Sequence, residues 1–407
     1  AAAKAGRIFA LETKIAGAHA TRAESEDFAA SADEWSRADF ASKAPGVDWD
    51  AFFAAAKLDK QQKFAAYHAR AITRLSALVA AQPLADWKDW LAFHQLSMNA
   101  DVLPVAFENA RFGFYGAALS GTKALRPRDK RALDALDDAL GDAVGKLYTG
   151  KYFPASAKAS VQAMTDEIKA AFAKRVDAIS WMAPTTKQEA LAKVRNIEIG
   201  VGYPETWLSY EGLNLAANSA YANKQAGQKL RYAQQLAKIG KPMDRREWWM
   251  NAQLVNAVNL PVQNALNFPA AILQRPFFDA KADPAFNYGA IGAVIGHEIS
   301  HSFDNNGSAF DSTGKMRNWW TDADRAKFNA AGAALVSQYD TYAPFPGTHV
   351  NGKLTLGENI ADVAGLAAAY DAWRASLSGK EAPVIDGFTG DQRFFIAYAQ
   401  SWATKMR

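Results

Sequence analysis

The chain has no cysteine among its 407 residues, which excludes a disulfide framework and any metal site built on thiolate ligands. It also lacks an apolar run near the ~18 residues that a membrane-spanning helix needs, so no membrane span is expected within it. Neither sign of charge dominates, because the net charge is only +4. The one basic cluster, 126–131, is explained better by a solvated loop than by nucleic-acid binding. The composition therefore predicts a soluble globular protein that does not bind nucleic acid.

Histidine is also scarce, with six residues in the chain, and two of them flank a glutamate in the segment His297-Glu298-Ile299-Ser300-His301. On a helix this spacing places two imidazoles one turn apart on the same face. That arrangement is the ligand pair of a zinc peptidase, with Glu298 beside it as the general base for a zinc-activated water. Residues 288–296 contain no proline and carry apolar side chains suited to a buried face, so they predict the required helix. A core histidine pair or a solvated helix face is the less favoured alternative.

A third ligand is required, because catalytic zinc takes three protein ligands and leaves its fourth position to water. The segment 355–366 is the best source, with Glu358 as the ligand. Asp362 lies four residues later on the same predicted helical face. It would accept a hydrogen bond from the free ring nitrogen of a ligand histidine, with His297 as the preferred partner. The alternative is a capping box, in which Glu358 would bond only to the main-chain amide of Thr355.

These segments resemble the neprilysin and endothelin-converting-enzyme family of zinc metallopeptidases, which are gluzincins with two histidines and a glutamate as ligands. Residues 296–320 are similar to the family's zinc helix and the turn after it, and residues 350–366 to its third-ligand helix. Further similar segments extend the resemblance over nearly the whole chain, at 11–16, 143–148, 181–204 and 255–278. The resemblance implies one zinc ion per chain, held by His297, His301 and Glu358, with Glu298 as the base and Asp362 orienting a ligand histidine.

Two domains are predicted, a helical capping lobe at 1–225 and a catalytic lobe at 226–407 that contains every motif. Helical periodicity is clear in the first lobe: residues 160–177 place one apolar face at Val161, Met164, Ile168, Ala171 and Phe172. The resemblance implies a mainly α fold, in which the helical lobe caps a thermolysin-like α+β catalytic lobe and encloses a substrate chamber. A closed chamber would admit short peptides and exclude folded proteins, which favours an oligopeptidase.

The resemblance also assigns substrate contacts. Asn256 and Ala257 match the pair that holds the substrate backbone as an added strand. A strand is predicted over 253–260, and the following Pro261 is typical of an edge strand or of a strand end. The pocket for a large apolar side chain after the scissile bond would be lined by Ile272, Phe277, Val294 and Trp402. Ordinary core packing is about as good an explanation for Ile272 and Val294. One departure is Val258-Asn259, where the family usually has aromatic residues.

Both ends of the chain are expected to be incomplete. The family continues past a segment like 394–402, and that tail carries a histidine and an arginine used in catalysis and substrate binding. The missing tail would be disordered, cleaved off or present as a separate polypeptide, and the remaining N-terminal segment could likewise be a separate chain that acts as a partner. His349 lies in a loop and is not expected to replace the tail histidine. The absence of cysteine and the heavy use of alanine favour a bacterial member, and the family's usual location predicts a periplasmic or secreted protein whose signal or anchor lies outside this chain.

The expected function is a zinc metalloendopeptidase that cleaves short peptides on the amino side of large hydrophobic residues. The main alternative is a zinc-binding but catalytically weak or inactive peptide-binding protein, because the tail is missing. An exopeptidase is less favoured, since no segment resembles the motif that captures a free amine. A purely structural helical scaffold is also less favoured; it predicts no loss of function on Glu298→Gln, because that change keeps the size of the side chain and the helix.

Overall fold

The computed structural model describes residues 2–25 and 32–403. These residues are mainly helical, which confirms the predicted fold class. They form two compact units: the first contains Ala1–Leu140 and Ser209–Lys241, and the second contains Gly141–Leu208 and Pro242–Arg407. Among the described helices, none combines the length and the apolar composition needed to cross a lipid bilayer.

The first unit is built from helices and one two-stranded antiparallel sheet, whose strands are separated in sequence by two helices. Its helices are α1 Ala2–Ala18, α2 Arg22–Ser25, α3 Arg37–Lys43, α4 Trp49–Ala55, α5 Ala69–Ala81, α6 Leu84–Met98, α7 Val105–Arg111 and α11 Ala220–Leu236, with a 3-10 turn at Ala100–Val102 and a π-helical turn at Phe112–Ala118. Strands β1 Ala32–Ser36 and β2 Lys63–Tyr67 pair antiparallel. Its core is an aromatic cluster around Trp35, Phe40 and Phe53.

The second unit contains the predicted site. Its elements are α9 Ala155–Asp177, α10 Pro184–Asn196, β3 Glu198–Gly202, β4 Val258–Leu260, β5 Ala265–Pro269, α12 Pro284–Asn287, a π-helical turn at Tyr288–Gly292, α13 Ala293–His301, a 3-10 turn at Gly307–Ala309, α14 Asp322–Asp340, α15 Leu356–Ser376 and α16 Gly390–Ser401. Helix α8, Arg128–Tyr152, begins in the first unit and loses its helical backbone geometry at Leu140, next to the boundary between the units.

The two units do not follow the single boundary near residue 225 that the sequence predicted. Residues 141–208 belong by packing to the second unit, because β3 pairs in parallel with β5 and α9 packs against α15. The five residues predicted for the apolar face of α9 are all buried in that core, so the helical periodicity was right. Hydrophobic periodicity shows that a helix has a buried face, but it does not show which of two hydrophobic cores that face packs against. The capping role of the first lobe stays a prediction.

The small sheet of the second unit has the order β3-β5-β4, so β4 lies at an edge. The predicted edge strand is therefore confirmed, but it covers only Val258–Leu260 rather than 253–260. The preceding residues turn instead, because the amide of Leu254 donates to the carbonyl of Asn251 and the amide of Asn256 donates to that of Leu254. Strand β5, at the centre, is buried along its whole length.

Helices α13 and α15 are in close contact at two glycines. A Cβ atom on Gly296 would lie 2.2 Å from the carbonyl oxygen of Gly365, and a Cβ atom on Gly365 would lie 2.2 Å from the main-chain nitrogen of His297. Real Cβ atoms do not approach so closely, so both positions require glycine for this packing. The contact brings the beginning of α15 beside the histidine-bearing face of α13.

Candidate metal centre

Three ligand atoms from two helices converge at the predicted site. The Nε2 atoms of His297 and His301 on α13 are 2.9 Å apart. Oε2 of Glu358, in the first turn of α15, lies 3.3 Å from Nε2 of His297 and 3.6 Å from Nε2 of His301. Ligand atoms about 2.0–2.2 Å from a tetrahedral zinc ion would be roughly 3.3–3.6 Å apart. The donor types and the two distances from Glu358 therefore fit zinc, while the two Nε2 atoms lie closer together than this geometry requires. In the described part of the chain these three residues form the one group with metal-binding geometry.

Asp362 contacts the ligand histidine for which it was predicted. Its Oδ1 lies 2.8 Å from Nδ1 of His297, which leaves Nε2 of the same ring directed at the other ligands. A carboxylate on the far ring nitrogen fixes the tautomer and orients the ring. The contact is the one expected from the four-residue spacing between Glu358 and Asp362, and the orienting role of Asp362 stays a prediction.

The capping-box alternative for Glu358 is wrong. The main-chain amide of Thr355 donates to the carbonyl of Asn351, and the threonine hydroxyl donates to that same carbonyl while it accepts from the side chain of Asn359. Thr355 precedes α15 but makes no side-chain cap hydrogen bond. The carboxylate of Glu358 is thus directed at the histidines and not at the start of its own helix.

A second carboxylate, which the sequence analysis missed, contacts the other ligand histidine. Oδ2 of Asp304 lies 2.7 Å from Nδ1 of His301. Its Oδ1 accepts hydrogen bonds from the main-chain amides of Asn306 and Gly307, both at 2.7 Å. The side chain is only 6% exposed. The signal was present in the spacing, because Asp304 follows His301 by three residues and a helical turn continued past the motif would place it on the ligand face.

The site's carboxylates change the protonation of its histidines. Burial alone would lower the pKa of His297, but hydrogen bonds to Asp362 and Glu358 outweigh burial and raise it to about 9. In the same way, contacts with Asp304 and Glu358 outweigh burial and raise the pKa of His301 to about 10. Hydrogen bonds from the two rings hold the pKa of Glu358 well below its ordinary value. Without a metal, the ligand cluster therefore favours a protonated imidazole beside the carboxylate. A charge on one ring opposes a charge on the other, because the two Nε2 atoms are 2.9 Å apart.

Glu298 is in a different environment from the ligands, although it lies on the same helix. It is buried, with 7% of the residue exposed, and burial raises the pKa of its carboxyl group. In a regular helix the main-chain amide of Ser302 would donate to the main-chain carbonyl of Glu298, but at this end of α13 it donates to the carbonyl of Ile299. The carbonyl of Glu298 accepts a hydrogen bond from Nδ2 of Asn259 on β4 at 2.7 Å. The side-chain amide of Asn259 also donates to the Ser302 hydroxyl at 2.8 Å.

The predicted backbone-binding pair lies just before the edge strand. Asn256 is exposed, and its side-chain oxygen accepts a hydrogen bond from the amide of Ala257 at 2.9 Å. Ala257 is buried against the core. Strand β4 begins at the next residue, Val258, which is paired with Asn267 of β5. The position of the pair beside a sheet edge fits its predicted role, which stays a prediction.

The predicted pocket residues differ in burial. Ile272 belongs to the core of the second unit, and Phe277 and Val294 are partly buried against that core. Trp402 follows α16, is 54% exposed, and has Tyr398 as an aromatic neighbour. The burial of Ile272 agrees with the packing alternative noted from the sequence. The pocket role of the four residues stays a prediction. His349 is exposed and contacts the carbonyl of Asp340, as expected for a surface residue.

Similar proteins include peptidases from bacteria and animals. A neutral endopeptidase from Lactobacillus helveticus is 34% identical over 98% of this chain and 60% of the relative. Neprilysin-1 from Caenorhabditis elegans is 38% identical over 69% of this chain and 39% of the relative. The crystal structure of the zinc metalloprotease Zmp1 from Mycobacterium tuberculosis, in complex with an inhibitor, matches with a TM-score of 0.93 and 40% identity, over 98% of this chain and 62% of that chain.

The chain therefore spans about 60% of the length of these longer relatives, or less. Two family models match it, for the N-terminal part at residues 1–204 and for the catalytic part at residues 256–407, and both carry the description peptidase family M13. These matches confirm the resemblance to neprilysin and support zinc as the metal. By sequence, by fold and by the ligands at its metal centre, this chain belongs to peptidase family M13.

Proposed function

We propose that this chain forms the catalytic part of a zinc-dependent endopeptidase that hydrolyses short peptides. The observation that carries the proposal is the convergence of His297, His301 and Glu358, with the buried Glu298 on the same helix as the histidines. Because the chain spans only part of its relatives, the activity is proposed for the protein to which this sequence belongs. The neutral endopeptidase and neprilysin relatives support the reaction class.

The ligand residues would hold the ion, and two carboxylates would keep the rings ready for it. Asp362 and Asp304 accept from the Nδ1 atoms, so both Nε2 lone pairs face the shared ligand position. Zinc, when bound there, would polarise the scissile carbonyl and acidify a water molecule. The protein's part in this arrangement is to fix the number, type and direction of the ligands.

Glu298 would transfer a proton from the attacking water to the leaving amide nitrogen. As water adds to the carbonyl carbon of the substrate, the Glu298 carboxylate accepts one proton from it, and it later delivers that proton to the amide nitrogen as the carbon–nitrogen bond breaks. The products are a carboxylic acid and an amine, and Glu298 is regenerated as the carboxylate. At neutral pH the acid then gives its proton to the amine, which leaves a carboxylate and an ammonium group. A base works best when its pKa lies close to the working pH. The raised pKa caused by burial shifts Glu298 in that direction.

Substrate would bind along the edge of the small sheet. An extended peptide beside β4 would hydrogen-bond through its main chain, with Asn256 and Ala257 holding it just before the strand. We infer cleavage on the amino side of a large hydrophobic residue, whose side chain would contact Ile272, Phe277, Val294 and Trp402. The bacterial relatives and the absence of cysteine support a bacterial protein. We infer a periplasmic or secreted location from the resemblance to the family alone.

The test uses internally quenched peptides with phenylalanine or leucine after the scissile bond. Purified wild-type protein should cleave them internally, a zinc chelator should stop cleavage, and added zinc should restore it. Glu298→Gln should bind zinc as well as wild type does while it loses at least a hundredfold in turnover, because it keeps the helix but removes the base. Stoichiometric zinc without cleavage by the wild type would refute the endopeptidase proposal and would support the zinc-binding, inactive alternative.

A further inference from the structure

Lys193 is a buried lysine that the proposed reaction does not use. It lies on α10 with 0% of the residue exposed. Its Nζ donates to the carbonyl oxygens of Gly307 and Phe310, at 2.7 and 2.6 Å, and it lies 5.4 Å from the ring centroid of Phe303. Burial lowers the pKa of this amine to about 7. A buried ammonium group is costly unless its surroundings compensate for the lost water, and here the compensation comes from the two carbonyl oxygens.

Both carbonyls belong to the turn that follows the histidine helix. This turn, residues 304–310, begins with Asp304, whose carboxylate contacts His301. Gly307 makes two hydrogen bonds in this turn: the main-chain amide of Gly307 donates to Asp304, and the carbonyl of Gly307 accepts from Lys193. The turn folds back closely on α13: a Cβ atom on Gly307 would lie 1.8 Å from the carbonyl oxygen of His301. The lysine is thus connected to a ligand histidine through one glycine and one aspartate.

We propose that Lys193 is a positioning residue of the metal centre, which holds the turn 304–310 so that Asp304 keeps His301 in its ligand orientation. The inference rests on the proposed role of His301 as a zinc ligand. A lysine that served packing alone could be exchanged for an apolar side chain of similar length with little effect beyond stability. A lysine that fixes the turn affects zinc affinity, because the residues that orient metal ligands influence metal binding.

The turn should remain folded without the amine, which makes the proposal testable. The carbonyl of Gly307 also accepts from the amide of Phe310, and the carbonyl of Phe310 also accepts from Nε1 of Trp319 at 3.0 Å. Each of the two carbonyls therefore keeps one hydrogen bond when the amine of Lys193 is removed. Lys193→Met keeps the length and the apolar stem of the side chain and removes only the donor and its charge.

Lys169 provides a matched control in the same unit. It is partly buried, and its Nζ also donates to two main-chain carbonyls, those of Arg195 and Ile197, each at 3.0 Å. These carbonyls lie at the end of α10 and not in the turn after the histidine helix. Lys169→Met therefore removes the same kind of contact without touching residues 304–310.

The experiment measures the zinc dissociation constant by competition with a chelator, together with the thermal unfolding of the metal-free protein. We expect Lys193→Met to bind zinc about tenfold more weakly, the lower end of the range for residues that support ligands, and Lys169→Met to stay within twofold of wild type. Equal affinities for Lys193→Met and wild type would overturn the inference, and so would an equal loss in both variants. A wild-type protein that does not bind zinc would instead refute the proposed function.

A double-mutant cycle tests the route through Asp304. If Lys193 acts through that carboxylate, Lys193→Met should weaken zinc binding by less than twofold in an Asp304→Asn background, since the link is already broken. Additive losses would refute the route. If Lys193→Met does not fold, Lys193→Gln takes its place, because its amide can still donate one hydrogen bond, and it should show a smaller loss of the same kind.

Discussion

Asp304→Asn tests whether the carboxylate beside His301 controls metal binding. Oδ1 of Asp304 accepts from two main-chain amides, and Oδ2 faces Nδ1 of the histidine. In the asparagine variant the remaining oxygen should stay with the two amides, because an NH₂ group there would face two donors. The NH₂ group then faces Nδ1 of His301, which must accept instead of donate. The tautomer with its proton on Nε2 follows, and that nitrogen can no longer bind zinc.

The exposure of the two supporting carboxylates sets the expected size of the effect. Loss of a carboxylate that supports a ligand costs about 10- to 100-fold in metal affinity, or roughly 1.4–2.7 kcal/mol. The side chain of Asp304 is 6% exposed, whereas that of Asp362 is 42% exposed. Water can take over part of the role of Asp362 but has little access to Asp304. We therefore expect about a 100-fold loss for Asp304→Asn and about a 10-fold loss for Asp362→Asn.

The assay is chelator competition at neutral pH on both variants, with the unfolding temperature of the metal-free proteins as a control. Metal-free Asp304→Asn should keep its two main-chain hydrogen bonds. It should still unfold at a lower temperature than wild type at neutral pH, because it loses the carboxylate that raises the pKa of His301 to about 10. A loss in Asp362→Asn that equals or exceeds that in Asp304→Asn would refute the reasoning from exposure. An unchanged affinity in Asp304→Asn would refute the tautomer argument itself.

Three further predictions concern the same centre. Protons compete with zinc for the histidines, and the pKa values of His297 and His301 are raised to about 9 and 10. Zinc affinity, measured by chelator competition, should therefore keep rising with pH up to that range. A plateau of the affinity near pH 6.5 would contradict the raised pKa values. Gly365→Ala should abolish zinc binding by forcing α15 away from α13, measured as zinc content after gel filtration, and full zinc content would contradict the close contact. Asn259→Leu removes the donor to the carbonyl of Glu298. On a quenched peptide, kcat should fall by up to about tenfold, which corresponds to the loss of one hydrogen bond, while KM stays nearly unchanged. A change confined to KM would show that Asn259 acts on the substrate instead.

The metal ligands could be predicted because their geometry is mostly local. The four-residue spacing of His297 and His301 needs only a helix, and Glu358 and Asp362 need only a second one. The sequence could not prove that these helices meet, but the ligand count of zinc required a partner for the first pair. The ligand count of zinc therefore predicted the contact between the two helices, which hydrophobic periodicity could not predict.

The features that were missed depend on non-local packing or on irregular backbone. Asp304 lies in a turn after α13, and a search confined to the helix stops before it. Lys193 is 114 residues from its acceptor Gly307, and a single lysine in an amphipathic helix normally indicates a solvated face. The strand at 253–260 was predicted too long, since β propensity does not show where a chain begins to turn.

The two histidines differ in what must form before they are oriented. His301 and Asp304 belong to one continuous stretch, so that pair can form as soon as α13 and its turn are in place. The partner of His297 is Asp362, which arrives with α15, as does the third ligand, Glu358. The docking of α15 thus adds one ligand and one orienting carboxylate in the same step. Metal binding and helix docking are therefore a single linked equilibrium, in which zinc stabilises the packed helices by as much as the packed helices raise the affinity for zinc.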